Sequence, residues 1–472
     1  MIRKTDPQAI APYLKDASNF TGGHADEVLI PETSGELAEF LKSNDRPVTV
    51  SGAGTGVTAS RIPFGGIIVS LERLNAIGEI ENGTLDVGPA VSLKDLQEKL
   101  ESTSYFYPPN PTETLASLGG TLATNASGSR SYKFGVTRDY VVQADIVLAD
   151  GGTVTLSRGT LISEPLLLDD GREISFPEIE YVSPACKNAA GYYVRPGMDW
   201  LDLFIGSDGT LCIFTRIRLR LLPRPADFIS GILFFNEEET CWKLVDSIRS
   251  VSTGKISPCS LEYFDQFSLI RLRKKFGTVP DRAQAALFFE QDVGREEDYD
   301  PLLQTWFEFL EGQEVMLDDS WFSRDDRDLK KFHEFRHAIP VMLNEENSRR
   351  GRTKIGTDMA VPDKYYMGMM RFYKQELSES GLDYVVFGHL GDNHLHINFL
   401  PGEGESEKAL KTYQTLADQI LKWEGTVSAE HGIGKLKKEF FARMAGPRAL
   451  EDFRQIKKTL DPGGLLGLGN II

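Results

Sequence analysis

Three of the seven histidines in this 472-residue chain lie within one short stretch, residues 388–398. An apolar run precedes the stretch and an alternating segment ends it, which predicts two β-strands joined by a turn at 391–393. The alternation places His394 and His396 on one face of the second strand, and the turn lets His389 approach that face. Neutral imidazole nitrogens brought together in this way are ligands for a borderline divalent metal ion such as Zn²⁺.

A second stretch, further along the chain, adds an acid and another histidine. Glu430 offers a carboxylate oxygen as a third metal ligand, and the imidazole of His431 can accept a proton near neutral pH. Spacing along the chain does not by itself bring Glu430 to the two histidines. The alternative interpretation, hydrogen-bonded core histidines and an unrelated loop acid, therefore stays open at this point.

A glycine-rich loop at residues 51–56 follows a predicted strand at 48–50. A Rossmann dinucleotide site is rejected here, because the next apolar run already begins at Ile67. A Rossmann unit needs a helix of about a dozen residues between its strands, and Pro63 and the glycines at 65–66 prevent one in this gap. A loop without that helix can still bind a pyrophosphate through clustered backbone N–H groups. A plain turn is the open alternative.

Two further segments, at residues 118–128 and 205–211, are dense in small side chains. Glycine, alanine, serine and threonine let a backbone approach a flat or phosphorylated ligand closely. Strands are predicted at 140–148 and 215–221, and the proline at 223 marks a boundary soon after the second of them. The N-terminal half of the chain therefore combines strands with three ordered small-residue elements.

Composition narrows the functional classes. A net charge of -17 and a sequence pI near 5.0 argue against nucleic acid or an anionic membrane as the main partner. The four cysteines lie far apart without a Cys-x-x-Cys pair, as expected for buried thiols in a reducing compartment. The sequence contains no apolar core of a signal peptide and no apolar run long enough to span a membrane. A cytoplasmic location is expected, with peripheral membrane association left open.

Together, the glycine-rich elements and the histidine loop resemble a known family. Residues 47–75, 108–154 and 190–225 resemble the flavin-binding domain of the vanillyl-alcohol oxidase/para-cresol methylhydroxylase superfamily. Residues 388–398 and 428–434 resemble the C-terminal domain of its 2-hydroxy-acid branch. That branch contains D-lactate dehydrogenase, D-2-hydroxyglutarate dehydrogenase and the glycolate oxidase D subunit.

The resemblance implies an α+β, two-domain flavoprotein. An FAD-binding domain of the para-cresol methylhydroxylase type is expected at residues 1–225, followed by an α+β substrate or cap domain at 226–425. A C-terminal segment at 426–472 would return to the FAD-binding domain and carry Glu430 and His431.

The resemblance assigns the cofactor to the three small-residue elements. Residues 51–60 contain neither histidine nor cysteine, so the FAD is expected to be bound non-covalently. The residues expected to contact it are Gly52, Gly54, Thr55, Gly56, Gly119, Gly120, Asn125, Gly128, Ser207 and Gly209.

By the same resemblance, His389, His396 and Glu430 would hold a divalent metal ion, Zn or Mn/Fe, and His431 would be the general base. His394 stays outside this ligand set, as a neighbour that hydrogen-bonds within the turn or shifts the metal preference.

Three further residues would bind the substrate. Arg336 lies on a helix predicted at residues 325–339, and a guanidinium suits a carboxylate because it can donate two parallel hydrogen bonds. Asn398 would contact the hydroxyl edge of the substrate. Lys354 resembles a second family cation, although its offset from the following aspartate differs from the family pattern.

The activity implied is FAD-dependent oxidation of a D-2-hydroxy acid (lactate, glycolate or 2-hydroxyglutarate) to the 2-oxo acid. The electrons would pass to a cytochrome, a quinone or an electron-transfer flavoprotein. Three alternatives stay open: a metal-free flavin oxidoreductase of the same fold acting on another alcohol, a zinc hydrolase, and an FAD-carrying subunit of a larger complex. Whether the chain forms a homodimer is also open.

Overall fold

The computed structural model describes residues 1–251, 254–350 and 355–472. The strands of the N-terminal half are β1 (Ile2–Lys4), β2 (Glu27–Ile30), β3 (Val48–Ser51), β4 (Ile67–Ser70), β5 (Ile77–Glu81), β6 (Thr84–Val87), β7 (Tyr105–Phe106), β8 (Val141–Val147), β9 (Thr153–Ser157), β10 (Leu166–Leu167), β11 (Glu173–Ile174), β12 (Ile213–Arg220) and β13 (Leu222–Pro223). Its α-helices are α1 (Pro7–Ile10), α2 (Ser34–Lys42), α3 (Leu93–Leu100), α4 (Leu118–Thr124), α5 (Ser131–Phe134) and α6 (Trp200–Phe204).

Two main sheets form this half of the molecule. One has the strand order β1-β2-β4-β3, and the other is antiparallel with the order β5-β6-β12-β8-β9. Strands β3 and β4 are parallel neighbours, and the connection between them contains no helix. The rejection of a Rossmann unit is therefore confirmed, and the glycine-rich loop forms part of this helix-free connection.

The C-terminal half contains the remaining elements. Its strands are β14 (Asp227–Phe235), β15 (Ser260–Asp265), β16 (Ala285–Val293), β17 (Trp321–Phe322), β18 (Ile355–Gly356), β19 (Met359–Ala360), β20 (Tyr384–His389) and β21 (His394–Phe399). Its helices are α7 (Glu238–Val251), α8 (Gln266–Leu272), α9 (Tyr299–Glu311), α10 (Asp326–Arg350), α11 (Tyr366–Ser380), α12 (Ser406–Lys422) and α13 (Lys438–Leu460).

These strands form one antiparallel sheet with the order β17-β14-β16-β15-β20-β21-β18, and β19 also pairs with β21. Side chains alternate between its two faces. Phe234 and Phe288 pack with α8 and α10, whereas Phe235 and Phe289 belong to the core shared with α7, α9, α11 and α12. The sheet is covered on both faces, and the mixed architecture confirms the predicted α+β class.

Helix α10 is longer than predicted. It begins at Asp326 but continues beyond Ile339, through Pro340, to Arg350. Proline removes one main-chain donor and normally interrupts a helix. The apolar residues Phe335, Ile339 and Leu343 are buried in the core on either side of the proline, and this packing accounts for the continuation.

The histidine stretch forms the predicted hairpin. Strands β20 and β21 pair antiparallel, with Phe387 opposite His396, and the turn between them includes Asn393 in a left-handed conformation, φ 53°. Asparagine tolerates this conformation better than most residues. The hairpin lies beside β15, whose Glu262 is paired with His389 across the ladder.

Three other features bear on earlier expectations. No helix in the described ranges is both long and apolar enough to cross a bilayer. All four cysteines are free, and all except Cys186 are buried. Leu410 of α12 is exposed and lies at the wall of a large cavity.

Candidate active site

The hairpin of β20 and β21 places two predicted metal ligands beside each other. The Nε2 atoms of His389 and His396 lie 3.1 and 3.9 Å from carboxylate oxygens of Glu430. Candidate ligand atoms of these three residues and of His394 all lie within 4.8 Å of one another. The fold thus brings the distant acid to the two histidines and adds His394 to the group.

Both histidines are anchored through Nδ1. His389 Nδ1 lies 2.5 Å from the carboxylate of Glu262, and His396 Nδ1 lies 3.2 Å from the main-chain carbonyl of Thr357. These oxygens accept hydrogen bonds, so each ring carries a hydrogen on Nδ1 and directs Nε2 toward Glu430. Metal-binding histidines are commonly held in this way. Burial lowers the pKa of His396 to about 4, which keeps that ring neutral.

Glu430 is held by two donors from the N-terminal half. Ser127 Oγ and Lys187 Nζ lie 2.5 and 2.6 Å from its Oε1, while Oε2 is the oxygen nearer to His396. Although burial opposes ionisation, His389 and Lys187 hold the pKa of Glu430 well below its usual range. The carboxylate is therefore charged, with one oxygen directed at the histidines.

Asp358 connects the predicted base to the histidine cluster. Its Oδ1 lies 2.8 Å from His394 Nε2, and its Oδ2 lies 3.3 Å from His431 Nδ1 and 2.7 Å from Lys437 Nζ. Although burial opposes ionisation, His431 and Lys437 keep the pKa of Asp358 well below its usual range. A carboxylate on Nδ1 orients an imidazole so that Nε2 can exchange a proton with a substrate.

Arg336 lies next to the same cluster. Its Nε donates to Glu262 at 3.3 Å, and its Nη1 lies 2.6 Å from Nε2 of the neighbouring His337. Glu262 therefore contacts both Arg336 and His389. Burial and the adjacent guanidinium lower the pKa of His337 to about 4, so this ring is neutral and accepts a hydrogen bond from Arg336.

Of the two other predicted substrate residues, only one can be placed. Asn398 is buried in β21, and its Oδ1 has no hydrogen-bond partner within the described part of the chain. A buried amide oxygen without a donor is costly, so its place on a cavity wall indicates room for a donor from a ligand. Lys354 lies outside the described residues.

One cavity of about 1320 Å³ joins the cluster to the glycine-rich loops. Its wall includes the two histidines of the hairpin together with Glu430, His431, Arg336 and Asn398. The predicted flavin residues on its wall are Gly52, Gly54, Thr55, Gly56, Gly119, Gly120, Gly128 and Gly209.

Two predicted flavin residues are not part of the cavity wall. Asn125 ends α4 in a left-handed conformation, φ 49°, and its side chain accepts a hydrogen bond from the main-chain N–H of Arg138. Ser207 is buried; its carbonyl accepts a hydrogen bond from the hydroxyl of Thr210, and its Oγ has no hydrogen-bond partner in the described part of the chain. Asn125 shapes the loop that carries wall residues, because its side chain is bonded within the protein.

The first glycine-rich loop offers main-chain donors to this cavity. Across the described residues, the N–H groups of Gly54, Thr55 and Gly56 have no protein acceptor. Gly54 has φ 79°, and a Cβ at this position would collide with Arg61. Successive N–H groups form an anion site suited to a pyrophosphate.

The volume of the cavity also exceeds the roughly 300–1,000 Å³ of ordinary small-ligand pockets. The residues present therefore fit a dinucleotide such as FAD.

Comparison with protein-family models gives two matches. Residues 225–471 match the family described as FAD linked oxidases, C-terminal domain, and residues 25–157 match the one described as FAD binding domain. The first match alone covers more than half of the chain. The chain belongs to the FAD-linked oxidase family. It is an FAD-dependent oxidoreductase, and the resemblance stated from the sequence is confirmed.

Several curated relatives align with this FAD-linked oxidase over nearly their whole length. D-lactate dehydrogenase of Anaerostipes hadrus is 27% identical, covering 97% of this chain and 92% of the relative. Glycolate oxidase subunit GlcD of Bacillus subtilis is 26% identical, covering 97% and 91%. D-2-hydroxyglutarate dehydrogenase of Stutzerimonas stutzeri is 23% identical, covering 99% and 95%.

A solved structure also resembles this FAD-linked oxidase. An alkyldihydroxyacetonephosphate synthase superposes with a TM-score of 0.67 at 14% identity, covering 98% of this chain and 81% of the other. At such low identity the likeness supports the fold alone.

Several residues of the site were not found by sequence reasoning. Glu262 and Asp358 orient the histidines, and Lys187 and Ser127 hold Glu430. Each of the four comes from a different part of the chain. Ser127 lies within the small-residue segment at 118–128, and Asp358 follows Lys354 in the segment that resembles a family cation site, whereas Glu262 and Lys187 carried no sequence signal.

Proposed function

We propose that this FAD-linked oxidase oxidises a D-2-hydroxy acid of the lactate, glycolate or 2-hydroxyglutarate type to the 2-oxo acid. The observation that carries the proposal is one cavity whose wall contains both the glycine-rich loops and the cluster of His389, His396, Glu430 and His431. The D configuration and the class of substrate are supported by the names of the relatives.

Two groups would complete the site. FAD in the glycine-rich loops, when bound, supplies a flavin ring that accepts the hydride from the substrate α-carbon. A divalent ion on His389, His396 and Glu430, Zn or Mn/Fe, would supply Lewis acidity that lowers the pKa of a bound hydroxyl. Two neutral imidazoles and one carboxylate are a common ligand set for such ions.

The protein's own residues orient the substrate and remove its proton. The guanidinium of Arg336 binds the substrate carboxylate. Glu262 holds the guanidinium in place by accepting a hydrogen bond from Arg336 Nε. The unpaired Oδ1 of Asn398 accepts a hydrogen bond from the substrate. Nε2 of His431 accepts the hydroxyl proton, and Asp358 stabilises the imidazolium that results.

Anaerobic flavin bleaching tests the activity directly. The purified protein with its FAD is mixed with the D- and L-forms of lactate and 2-hydroxyglutarate and with achiral glycolate, and flavin absorbance is followed without oxygen. We expect D-acids to bleach the flavin and L-acids to leave it yellow. Bleaching by L-acids alone, or by none of the acids, would contradict the proposal.

Chelation tests the metal. Removal of divalent ions is expected to abolish bleaching by the substrate, and Zn²⁺ or Mn²⁺ should restore it, because the hydroxyl pKa then falls again. The matched control is reduction of the same flavin by dithionite, which needs no substrate. Indifference to chelation would favour the metal-free flavin oxidoreductase. The match to an FAD binding domain counts against a zinc hydrolase.

The electron acceptor is tested with an artificial dye. We propose a cytochrome, a quinone or an electron-transfer flavoprotein as the physiological acceptor. Steady turnover of the isolated chain with a soluble dye is expected, since the flavin-binding loops and the residues proposed to oxidise the substrate line one cavity of this chain. Bleaching without dye turnover would instead favour the interpretation of a subunit that needs a partner chain to pass electrons on.

A further inference from the structure

The cavity contains unpaired polar groups that the proposed reaction does not use. Asn347, on α10, is 6% exposed, and neither its Nδ2 nor its Oδ1 has a partner among the described residues. The hydroxyl of Tyr413, on α12, is also buried without a partner. Both residues line the same cavity as the histidine cluster. Buried polar groups are nearly always hydrogen-bonded, so these atoms indicate a missing ligand group.

Asn347 lies away from Arg336, which would hold the carboxylate of the substrate. Asn347 follows Arg336 by three turns of α10, which corresponds to about 16 Å along an α-helix. A substrate whose carboxylate is bound by Arg336 must therefore carry a long side chain to reach Asn347. Glycolate and lactate have no such side chain.

The cavity wall also provides apolar surface for that side chain. Tyr413 and Phe440 stack with ring centroids 4.2 Å apart, and both line the cavity. Ile355 and Leu410 are also on the wall. Methylene groups or an aromatic ring would be removed from water against these residues, which favours binding.

The chemistry of Asn347 defines the end of the side chain. An amide has an N–H₂ donor and a carbonyl acceptor, so it is satisfied only by a group that both accepts and donates. A carboxylate would accept from Nδ2 but leave Oδ1 without a donor, and an alkyl end would leave both atoms unpaired. A primary amide or a hydroxyl satisfies both atoms, and the hydroxyl of Tyr413 can add a further bond.

We propose that Asn347 and Tyr413 form a distal subsite for a 2-hydroxy acid with an extended side chain that ends in a neutral amide or hydroxyl group. This inference rests on the proposed function, and it narrows the substrate class to acids larger than lactate or glycolate. It also disfavours acids with a second carboxylate at the far end.

The test compares three 2-hydroxy acids with the same tetramethylene side chain, ending in a primary amide, a carboxylate or an isopropyl group. The isopropyl end has the shape of the amide without its hydrogen-bonding atoms. The rate of anaerobic flavin bleaching is measured against concentration for each acid and for D-lactate. We expect the amide to exceed the isopropyl acid, in the limiting rate constant of flavin reduction divided by the apparent Kd, by on the order of tenfold or more, because the isopropyl group leaves buried polar atoms unpaired.

Asn347→Leu removes both hydrogen-bonding atoms at similar size. It should abolish the preference for the amide and leave bleaching by D-lactate within about twofold, since lactate does not reach the subsite. Tyr413→Phe removes a single hydroxyl and should reduce the preference by a smaller factor. This second variant keeps the test decisive if Asn347→Leu folds poorly.

The outcomes separate the two proposals. If D-lactate bleaches the flavin but the amide and isopropyl acids react equally, or if Asn347→Leu retains the preference, the subsite is overturned while the proposed function stands. If the carboxylate acid is the best substrate, the neutral end group is wrong. If no 2-hydroxy acid bleaches the flavin, the proposed function fails and the subsite fails with it.

Discussion

His431 is the residue on which the proposed proton transfer depends. It lies on the cavity wall, and Asp358 contacts its Nδ1 at 3.3 Å. Replacement by alanine should lower the rate constant for flavin reduction by the substrate by about 10²–10⁴-fold, the usual contribution of a general base. The FAD content should be unchanged, because His431 is not part of the glycine-rich loop that offers main-chain donors to the cofactor. Stopped-flow bleaching and the flavin spectrum measure the two quantities.

The matched control is His24→Ala, since His24 is exposed and lies outside the site. This variant should keep the activity of the unmodified protein. An active His431→Ala variant would assign the proton acceptor to another group.

His389 links metal binding to pH. Burial alone would lower its pKa, but the carboxylates of Glu262 and Glu430 raise the pKa of His389 to about 9. A metal ion binds only the neutral ring, so its binding must displace a proton at neutral pH. Metal affinity should therefore rise about tenfold per pH unit from pH 7 toward pH 9 and then level off.

The fold of the metal-free protein should respond in the opposite direction. The folded pKa of His389 lies above the ordinary value of 6.5, so protonated His389 stabilises the metal-free fold below about pH 6.5. This contribution is lost as the pH rises through about 9.

Calorimetric titration of the protein with the metal ion, in buffers of different ionisation heat, counts the protons that are released on metal binding. A metal affinity that is constant between pH 7 and 9 would contradict the prediction.

At the scale of elements, α5 and the residue before it attach the two halves of the molecule to each other. Arg130 donates from Nε and Nη2 to the carboxylate of Glu290 in β16, at 2.6 and 3.0 Å. Lys133 lies 2.5 Å from Asp292 of the same strand. Although burial opposes ionisation, Arg130 keeps the pKa of Glu290 well below its usual range. The short α5 segment thereby anchors the flavin-binding half against the large sheet.

Arg130→Met should destabilise the protein by about 3–5 kcal/mol, because it leaves the Glu290 carboxylate buried without its cation. The double variant Arg130→Met with Glu290→Gln removes the buried charge and should recover part of the loss. Thermal unfolding of the protein with its FAD measures both. Arg172→Met is the control, since Arg172 forms ion pairs at an exposed site. Equal melting temperatures for Arg130→Met and this control would contradict the prediction.

At the scale of the whole molecule, the binding of FAD is expected to be reversible. The wall of the cavity comes from both halves of the chain, so unfolding separates the surfaces that enclose the cofactor. No histidine or cysteine lies at residues 51–60 to form a covalent link in the first loop. Acid precipitation should therefore leave all the flavin absorbance in the supernatant. Yellow colour that stays with the pelleted protein would contradict non-covalent binding.

Much of the fold was predictable because its signals are local. The hairpin followed from the apolar run and the alternating segment on either side of the turn at 391–393. The length of α10 was not predictable, since Pro340 normally stops a helix and only burial of its neighbours explains its continuation. The three-part division at residues 225 and 425 stays a proposal.

The candidate site was predictable only in part. His389, His396 and Glu430 were named from their types and motifs, and Arg336 from the family resemblance. Asn125 and Ser207, also predicted to contact the flavin, are not part of the cavity wall, and their contact with the flavin stays a prediction. A small-residue motif does not by itself reveal which of its members face a ligand.

The sequence by itself determined the types of the ligand residues, the hairpin that pairs two histidines, and the glycine-rich loops, whose lack of side chains leaves room for a ligand. Each of these features depends on residues that lie close together in the chain. Only the tertiary structure decided that Glu430 meets the hairpin, that Glu262 and Asp358 set the orientation of the rings, and that Lys187 holds Glu430. Contacts between residues so far apart depend on the register of strands and the packing of two halves. Local periodicity carries no information about either.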